Sequence, residues 1–302
     1  MPPSAPKSLG LLCIFAAVVG LTLVTQWQPD PRQLQTAVVR TEPTPSPSPP
    51  QPVPVAWPLV FVKFFKVGGT TAAELIGRLA QRDGARICCR PHDACDACYT
   101  HNTLAMWRTG GRAAFAADAM VITLLRDPVE RELSRYFYDR ARGESRAQRQ
   151  TLAQWAHTVP NDYAAVLGGG DAERACAALS ADFALVGITE RSLEFFAHLG
   201  ITLGQRPADM AYESLKRVVD RPAAADVSPA AIATLANRLV ADVRVYQCAA
   251  RLFAERPPPP GLAAYVAQLN ASLPAAACTF DEHRGAPGLS GKDCLRVRPA
   301  RL

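Results

Sequence analysis

Apolar residues fall into three kinds of run along this chain, and each kind predicts a different element. Leu59-Val60-Phe61-Val62-Lys63-Phe64-Phe65 and Ala119-Met120-Val121-Ile122-Thr123-Leu124-Leu125 are nearly continuous and rich in β-branched and aromatic side chains. Such runs predict strands buried on both faces, as parallel sheets require. Phe183 to Thr189 predicts another strand, and Arg86 to Arg90 a short one. Between them the apolar residues recur at helical spacing. Helices are expected over Thr71 to Leu79, Val129 to about Arg142 and Ser192 to Leu199, with one long amphipathic helix from Ser228-Pro229 to Glu255. Asp127 is placed to cap the second of these and Pro128 to occupy its first position. Strands alternating with helices imply an α/β fold of three layers around a mostly parallel sheet.

The third kind of run is different. Leu9 to Thr25 is apolar without a single charge, and Lys7 precedes it. It is near the lower limit for crossing a bilayer. A cleaved signal peptide needs a small-residue cleavage site, and Leu23-Val24-Thr25-Gln26-Trp27 offers no good one. A signal anchor needs only the apolar run and its basic flank, with Trp27 at the interface. The expected layout is a cytoplasmic tail over 1–8, a membrane anchor over 9–27, a stem over 28–58 and a luminal domain over 59–302. The stem is rich in Pro, Ser and Thr, which suits an extended polyproline-type stalk.

Chemistry concentrates first at Lys66-Val67-Gly68-Gly69-Thr70-Thr71, directly after the first strand and before a helix. A strand, glycine turn and helix start aim backbone N–H groups and a positive helix end at one point, a ready site for a phosphate. The two glycines allow close backbone approach, and Lys66 adds a mobile charge. In a nucleotide-hydrolysing P-loop the lysine follows the glycines. Here it precedes them, which weakens an ATPase or GTPase reading.

The chain has 302 residues, 49% of them hydrophobic, and a net charge of +6. The positive charges are scattered, which fits an anionic small ligand better than nucleic acid. Of nine cysteines, Cys13 lies in the membrane run. The other eight are Cys88, Cys89, Cys95, Cys98, Cys176, Cys248, Cys278 and Cys294. An even set in an oxidising lumen suggests disulfides, with pairings the sequence does not give. Cys88, Cys89, Cys95 and Cys98 with His92 and His101 admit zinc as an alternative, though their spacing is short for a usual zinc ribbon. Asn270-Ala271-Ser272 is a glycosylation sequon.

The second informative segment is Val121 to Tyr136, where Arg126 ends a strand and Ser134 lies about two helical turns on. A guanidinium and a hydroxyl so placed can hold one anion from two sides. Together the two segments resemble the cofactor motifs of the sulfotransferase family, in particular the heparan sulfate 2-O- and 6-O-sulfotransferase branch. The resemblance implies that Lys66, Gly68, Gly69, Thr70 and Thr71 bind the 5′-phosphosulfate of PAPS (3′-phosphoadenylyl sulfate), and that Arg126 and Ser134 bind its 3′-phosphate. It is strong over Leu59 to Tyr138 and weaker to about Arg256, through Leu185 to Leu199 and Val245 to Phe253. Relatives carry His or Pro near Phe65, and residues 142–181 match nothing in the branch.

The resemblance implies a P-loop-like fold and a Golgi single-pass membrane enzyme that sulfates a hydroxyl of a glycan, with PAPS as co-substrate and no metal. Lys66 would stabilise the leaving phosphate, and a histidine in the region of His101 would act as base. His92 is the next candidate base; His157, His198 and His283 are expected to be structural or solvated, and Glu74 and Glu130 are carboxylate alternatives. The run Tyr136-Phe137-Tyr138 is expected in the core or beside an adenine. Two other functions share parts of this pattern. A nucleotide-sugar glycosyltransferase shares the anchor and stem but usually needs an Asp-x-Asp metal site, and no such triplet occurs. A non-catalytic luminal binding protein would keep the fold and the anion pocket. The acceptor sugar and the oligomeric state are not legible.

Overall fold

The computed structural model describes residues 55–87, 96–213, 222 and 227–274. The chain divides after Pro50 into two units, and only the second, Gln51–Leu302, contains described residues. The expected anchor over 9–27, the stem as far as residue 54, Cys88, Cys89, Cys95, His92, Cys278, His283 and Cys294 lie outside the described residues. Among the described residues no helix is long and apolar enough to cross a membrane.

The elements in chain order are β1 (Leu59–Val62), α1 (Gly69–Arg82), β2 (Ala97–Cys98), α2 (Asn102–Gly110), β3 (Met120–Leu125), α3 (Pro128–Ala141), α4 (Ser145–Arg149), α5 (Leu152–Ala156), α6 (Asp162–Gly168), α7 (Ala172–Asp182), β4 (Leu185–Ile188), α8 (Ser192–Thr202), α9 (Pro229–Arg238), α10 (Val240–Glu255) and α11 (Leu262–Ser272). The fold is α/β, with a four-stranded sheet in the order β2-β1-β3-β4. Every pairing is parallel: Leu59 is level with Ala97 and Met120, and Ile122 with Leu185. Apart from the half-buried Met120, the apolar residues of these strands are buried, which matches their continuous apolar sequence.

The first strand is shorter than its apolar run. Pairing stops at Val62, and residues 63–68 form a loop. Phe64 stays in the core, at 1% exposure, while Phe65 turns outward at 48%. Of the short strand expected at 86–90, residues 88–90 lie outside the described residues; Ile87 makes an isolated bridge to Ala97, and β2 is Ala97–Cys98. Residues just before β1 already belong to the fold. Val55 is buried, its N–H donates to Asp83 Oδ2 at 2.6 Å, and the Pro58 carbonyl accepts from the Met120 N–H at 2.9 Å.

Asp127 caps α3 as its sequence position predicts, accepting from the Glu130 N–H at 2.9 Å, with Pro128 in the first turn. The long helix expected from 228 to 255 is two helices broken at Leu239. The break has a physical reason. The Leu235 and Leu239 side chains of α9 and its C-terminal end enter a second cluster with Leu133, Tyr136 and Trp155. Val245, Ala249 and Phe253 of α10 enter the main core beneath the sheet. A straight helix could not serve both. The Asn161 side chain makes good the lost helix bonds, donating to the Arg238 carbonyl at 2.9 Å and accepting from the Asp242 N–H at 3.0 Å.

Cys176 of α7 and Cys248 of α10 form a disulfide. Cys98 is also disulfide-bonded, so its thiolate is not on hand as a zinc ligand. Among the described residues no three His, Cys, Asp or Glu side chains gather as a metal site.

Candidate anion site at the carboxyl ends of the strands

All four strands run the same way, so the segments that follow them emerge along one edge of the sheet. The chain leaves β1 for β2 on one side and returns to β3 on the other. The order therefore reverses between β1 and β3, and outside the carboxyl ends of two such strands is where open α/β sheets form their ligand crevice. The loop 63–68 and Arg126 are the segments that follow those two strands.

Threonines draw these ends together. The Thr123 hydroxyl donates to the Val62 carbonyl at 2.9 Å. The Thr189 hydroxyl, just past β4, lies 2.8 Å from the Val67 carbonyl and 3.0 Å from that of Leu125. The Arg126 guanidinium reaches across, donating from Nη1 to the Lys66 carbonyl at 3.4 Å. Two segments sixty residues apart in sequence are thus in direct contact.

Within the loop, Lys66 and Gly68 both take left-handed backbone angles, with φ of 60° and 79°. That conformation is natural for Gly68 and costs a lysine about 1 kcal/mol or more. Gly68 leads into α1, whose first-turn N–H groups have no carbonyl within the helix to bond. Among the described residues no side chain caps that end. At Gly69 a Cβ would stand 2.9 Å from Lys63 Cγ and 3.4 Å from the Phe64 carbonyl oxygen, so the stem of Lys63 crosses directly over the glycine. Lys63 is thus a second cation at this loop. Its position in an apolar run disguised it as a strand residue.

The predicted site residues divide as follows. Lys66, Gly68, Gly69 and Thr70 line the turn, with Lys66 and Thr70 half-buried. Thr71 is buried and its hydroxyl donates to the Glu213 carbonyl at 3.2 Å. Arg126 meets Lys66 as described and also pairs with Glu130, one turn on, at 3.3 Å. Ser134 is half-buried on α3, and its hydroxyl makes no hydrogen bond among the described residues. The Lys66 ammonium sits 3.5 Å from the centroid of the Tyr138 ring, a cation–π contact. Of the run expected in the core or beside an adenine, Tyr136 is buried against Trp155, and Tyr138 is half-exposed under the lysine. Burial raises the carboxyl of neighbouring Asp139, against the opposing pull of Arg135 and Lys66.

His101 is exposed and stands immediately before α2. Its turn is pinned to the end of β1, because Thr103 Oγ1 accepts from the Lys63 N–H at 3.1 Å and donates to the Thr100 carbonyl at 2.8 Å. The imidazole stacks on Phe65. Glu74 is engaged elsewhere, paired with Arg78 at 3.6 Å, and burial raises its carboxyl despite that arginine. His157 is exposed at the end of α5, and His198 is buried beside Phe253.

Glu190, Tyr246 and Tyr163 also frame the site, the first two from segments that carry the resemblance and Tyr163 from one that does not. Glu190 accepts from the Asp127 N–H at 3.0 Å and from the Tyr246 hydroxyl at 2.9 Å, tying the segment after β4 to the start of α3. Tyr163 of α6 bonds the backbone of Arg126. The chain matches no protein-family model and no curated protein sequence.

Proposed function

We propose that this protein is a PAPS-dependent sulfotransferase that transfers a sulfuryl group to a hydroxyl of a glycan, on a P-loop-like three-layer scaffold. The observation that carries this reading is the contact of Arg126 Nη1 with the Lys66 carbonyl at 3.4 Å, beyond the carboxyl ends of β1 and β3. It sets a phosphate-type turn and a strand-end arginine side by side, the arrangement a nucleotide with phosphates at two positions requires.

In this reading the N–H groups of Gly68, Gly69 and Thr70 and the Lys66 ammonium receive the 5′-phosphosulfate. Arg126 and the Ser134 hydroxyl receive the 3′-phosphate, which competes with Glu130 for the guanidinium. The acceptor hydroxyl attacks sulfur in line. Its oxygen forms the new S–O bond as the bond from sulfur to the 5′-phosphate oxygen breaks. The leaving group is adenosine 3′,5′-bisphosphate, whose new charge falls to Lys66 and the turn. His101 takes the hydroxyl proton. As in phosphoryl transfer, the protein's work is positioning and charge stabilisation.

The glycan acceptor and the Golgi membrane location belong to the same proposal. They draw on the apolar run at 9–27 and on the disulfide between Cys176 and Cys248, which suits an oxidising lumen. Calorimetric titration of the full-length protein with adenosine 3′,5′-bisphosphate tests the donor site, with micromolar or tighter affinity expected. Incubation with radiolabelled PAPS and a panel of glycans tests the reaction. Absence of nucleotide binding by folded protein removes the enzyme class altogether.

A further inference from the structure

We propose that Tyr163 is a positioning residue of the nucleotide site: its hydroxyl extends the end of β3 and so fixes the backbone from which the Arg126 guanidinium projects. The inference rests on the sulfotransferase reading and adds to it a residue from the segment 142–181, where the resemblance is silent.

The β3 ladder stops at Leu125, so the next residue's N–H and C=O need other partners in a largely buried place. The Tyr163 hydroxyl takes both. It accepts from the Arg126 N–H at 3.0 Å and donates to the Arg126 carbonyl at 3.0 Å. A phenol has one proton to give and lone pairs to receive with, so one side chain answers both groups of one residue. Tyr163 is fully buried. Burial pushes its pKa up to about 12 against the opposing effect of Arg131, so the hydroxyl keeps its proton.

The ring is clamped. Its edge contact with Phe64, at 5.0 Å and 90°, reaches the loop that follows β1. The Arg131 guanidinium covers a face at 4.2 Å. Arg131 is itself held by Glu132 at 3.0 Å and Asp242 at 3.1 Å, and Asp242 accepts from the Ala164 N–H at 2.9 Å, beside the tyrosine. One side chain therefore touches both halves of the site, Phe64 with its ring and Arg126 with its oxygen. The angle at which Arg126 meets a 3′-phosphate depends on that oxygen.

Tyr163→Phe keeps the ring contacts and removes only the hydroxyl. Full-length protein is titrated with adenosine 3′,5′-bisphosphate and with adenosine 5′-monophosphate. The variant is expected to bind the bisphosphate about tenfold more weakly, the size of one lost hydrogen bond, and the monophosphate as before. Added to Arg126→Ala, it is expected to cost nothing more. Equal weakening of both nucleotides, or full additivity with Arg126→Ala, overturns the positioning role. Wild-type affinity in Tyr163→Phe with a loss in Arg126→Ala overturns it too, and leaves the sulfotransferase reading standing. An unaltered protein that binds neither nucleotide overturns both. Amide hydrogen exchange in the unaltered protein covers the case of a variant that does not fold. Protection of the Arg126 N–H like that of Leu124 is expected, and exchange at the rate of an exposed loop overturns the proposal.

Discussion

Phe65 and His101 lie face to face, their ring centroids 4.2 Å apart and their planes 9° from parallel. They come from segments that follow different strands, β1 and β2. The stack holds the imidazole plane while leaving its nitrogens at the edge. His101→Ala is expected to lower turnover by roughly a hundredfold or more, the usual share of a general base, with nucleotide affinity unchanged. Phe65→Ala is expected to lower turnover less, about tenfold, by releasing the ring from its plane. Steady-state rates at saturating PAPS, with parallel nucleotide titrations, separate the two effects. Full turnover in His101→Ala would assign the base elsewhere.

Lys66 sets function against stability. Its φ of 60° favours glycine, and its ammonium rests on the Tyr138 ring. Lys66→Gly and Lys66→Ala lose the same cation, so comparing them isolates the backbone. The glycine variant is expected to be about 1 kcal/mol more stable than the alanine variant, because only alanine retains the left-handed strain. Both are expected to lose sulfuryl transfer. Urea denaturation gives the first comparison, and alanine equal to glycine would remove the strain from the account.

Thr189, just past β4, joins the end of β3 to the loop after β1 with one hydroxyl, lying within reach of the Leu125 and Val67 carbonyls. Thr189→Val keeps the shape and deprives both carbonyls of a donor. A loss of about 1 kcal/mol in stability is expected, since the site is only half-buried and water can replace part of the bond. A larger proportional loss is expected in nucleotide affinity, because the turn and Arg126 are no longer drawn together. Unchanged affinity in a destabilised variant would limit Thr189 to folding.

Much of this was legible beforehand, and the reasons are local. Continuous apolar runs gave β3 and β4, Asp127-Pro128 gave the start of α3, and the two glycines gave the turn before α1. What escaped depends on contacts distant in sequence. No periodicity at 228–255 marks a break at Leu239, because α9 and α10 pack into different clusters and the bonds lost at the break are replaced by Asn161, supplied by another segment. Lys63 reads as part of a strand until β1 is seen to end at Val62. Tyr163 reads as one more aromatic in an unfamiliar region, and its meaning comes only from Arg126. Glu130, in sequence an alternative candidate for the base, pairs with Arg126.

His198 gives a pH dependence whose sign follows from its surroundings. It is buried on α8, and burial first, then Arg256 and Arg191, lower its pKa below the usual 6.5, against the opposing pull of Glu194. The unfolded chain therefore takes up a proton more readily than the folded one. Above pH 6.5 the ring is neutral in both states and costs nothing; as pH falls through 6.5 toward the lower folded value, stability is lost. His198→Gln is expected to flatten this acid-side decline. Thermal melts at pH 7.5 and 5.5 check it (two pH values chosen about a unit either side of the free imidazole pKa), and an equal decline in the variant would place the sensitivity elsewhere.

The bond between Cys176 and Cys248 spans 72 residues and ties α7 to α10, the helix that packs on β4. Closing so long a loop removes much of the freedom of the unfolded chain, worth about 4 kcal/mol on the chain-entropy account. Both partners sit in helices that the main core already holds in place, and the Arg251 guanidinium lies against both sulfurs. Reduction should therefore loosen the fold without rearranging it. The double variant Cys176→Ala/Cys248→Ala is expected to unfold at a markedly lower urea concentration with an unchanged far-UV spectrum. Nucleotide affinity should change little, because the described partners of the two cysteines are each other and Arg251, not the turn or Arg126. Equal urea midpoints for oxidised and double-variant protein would mean that packing alone fixes these helices.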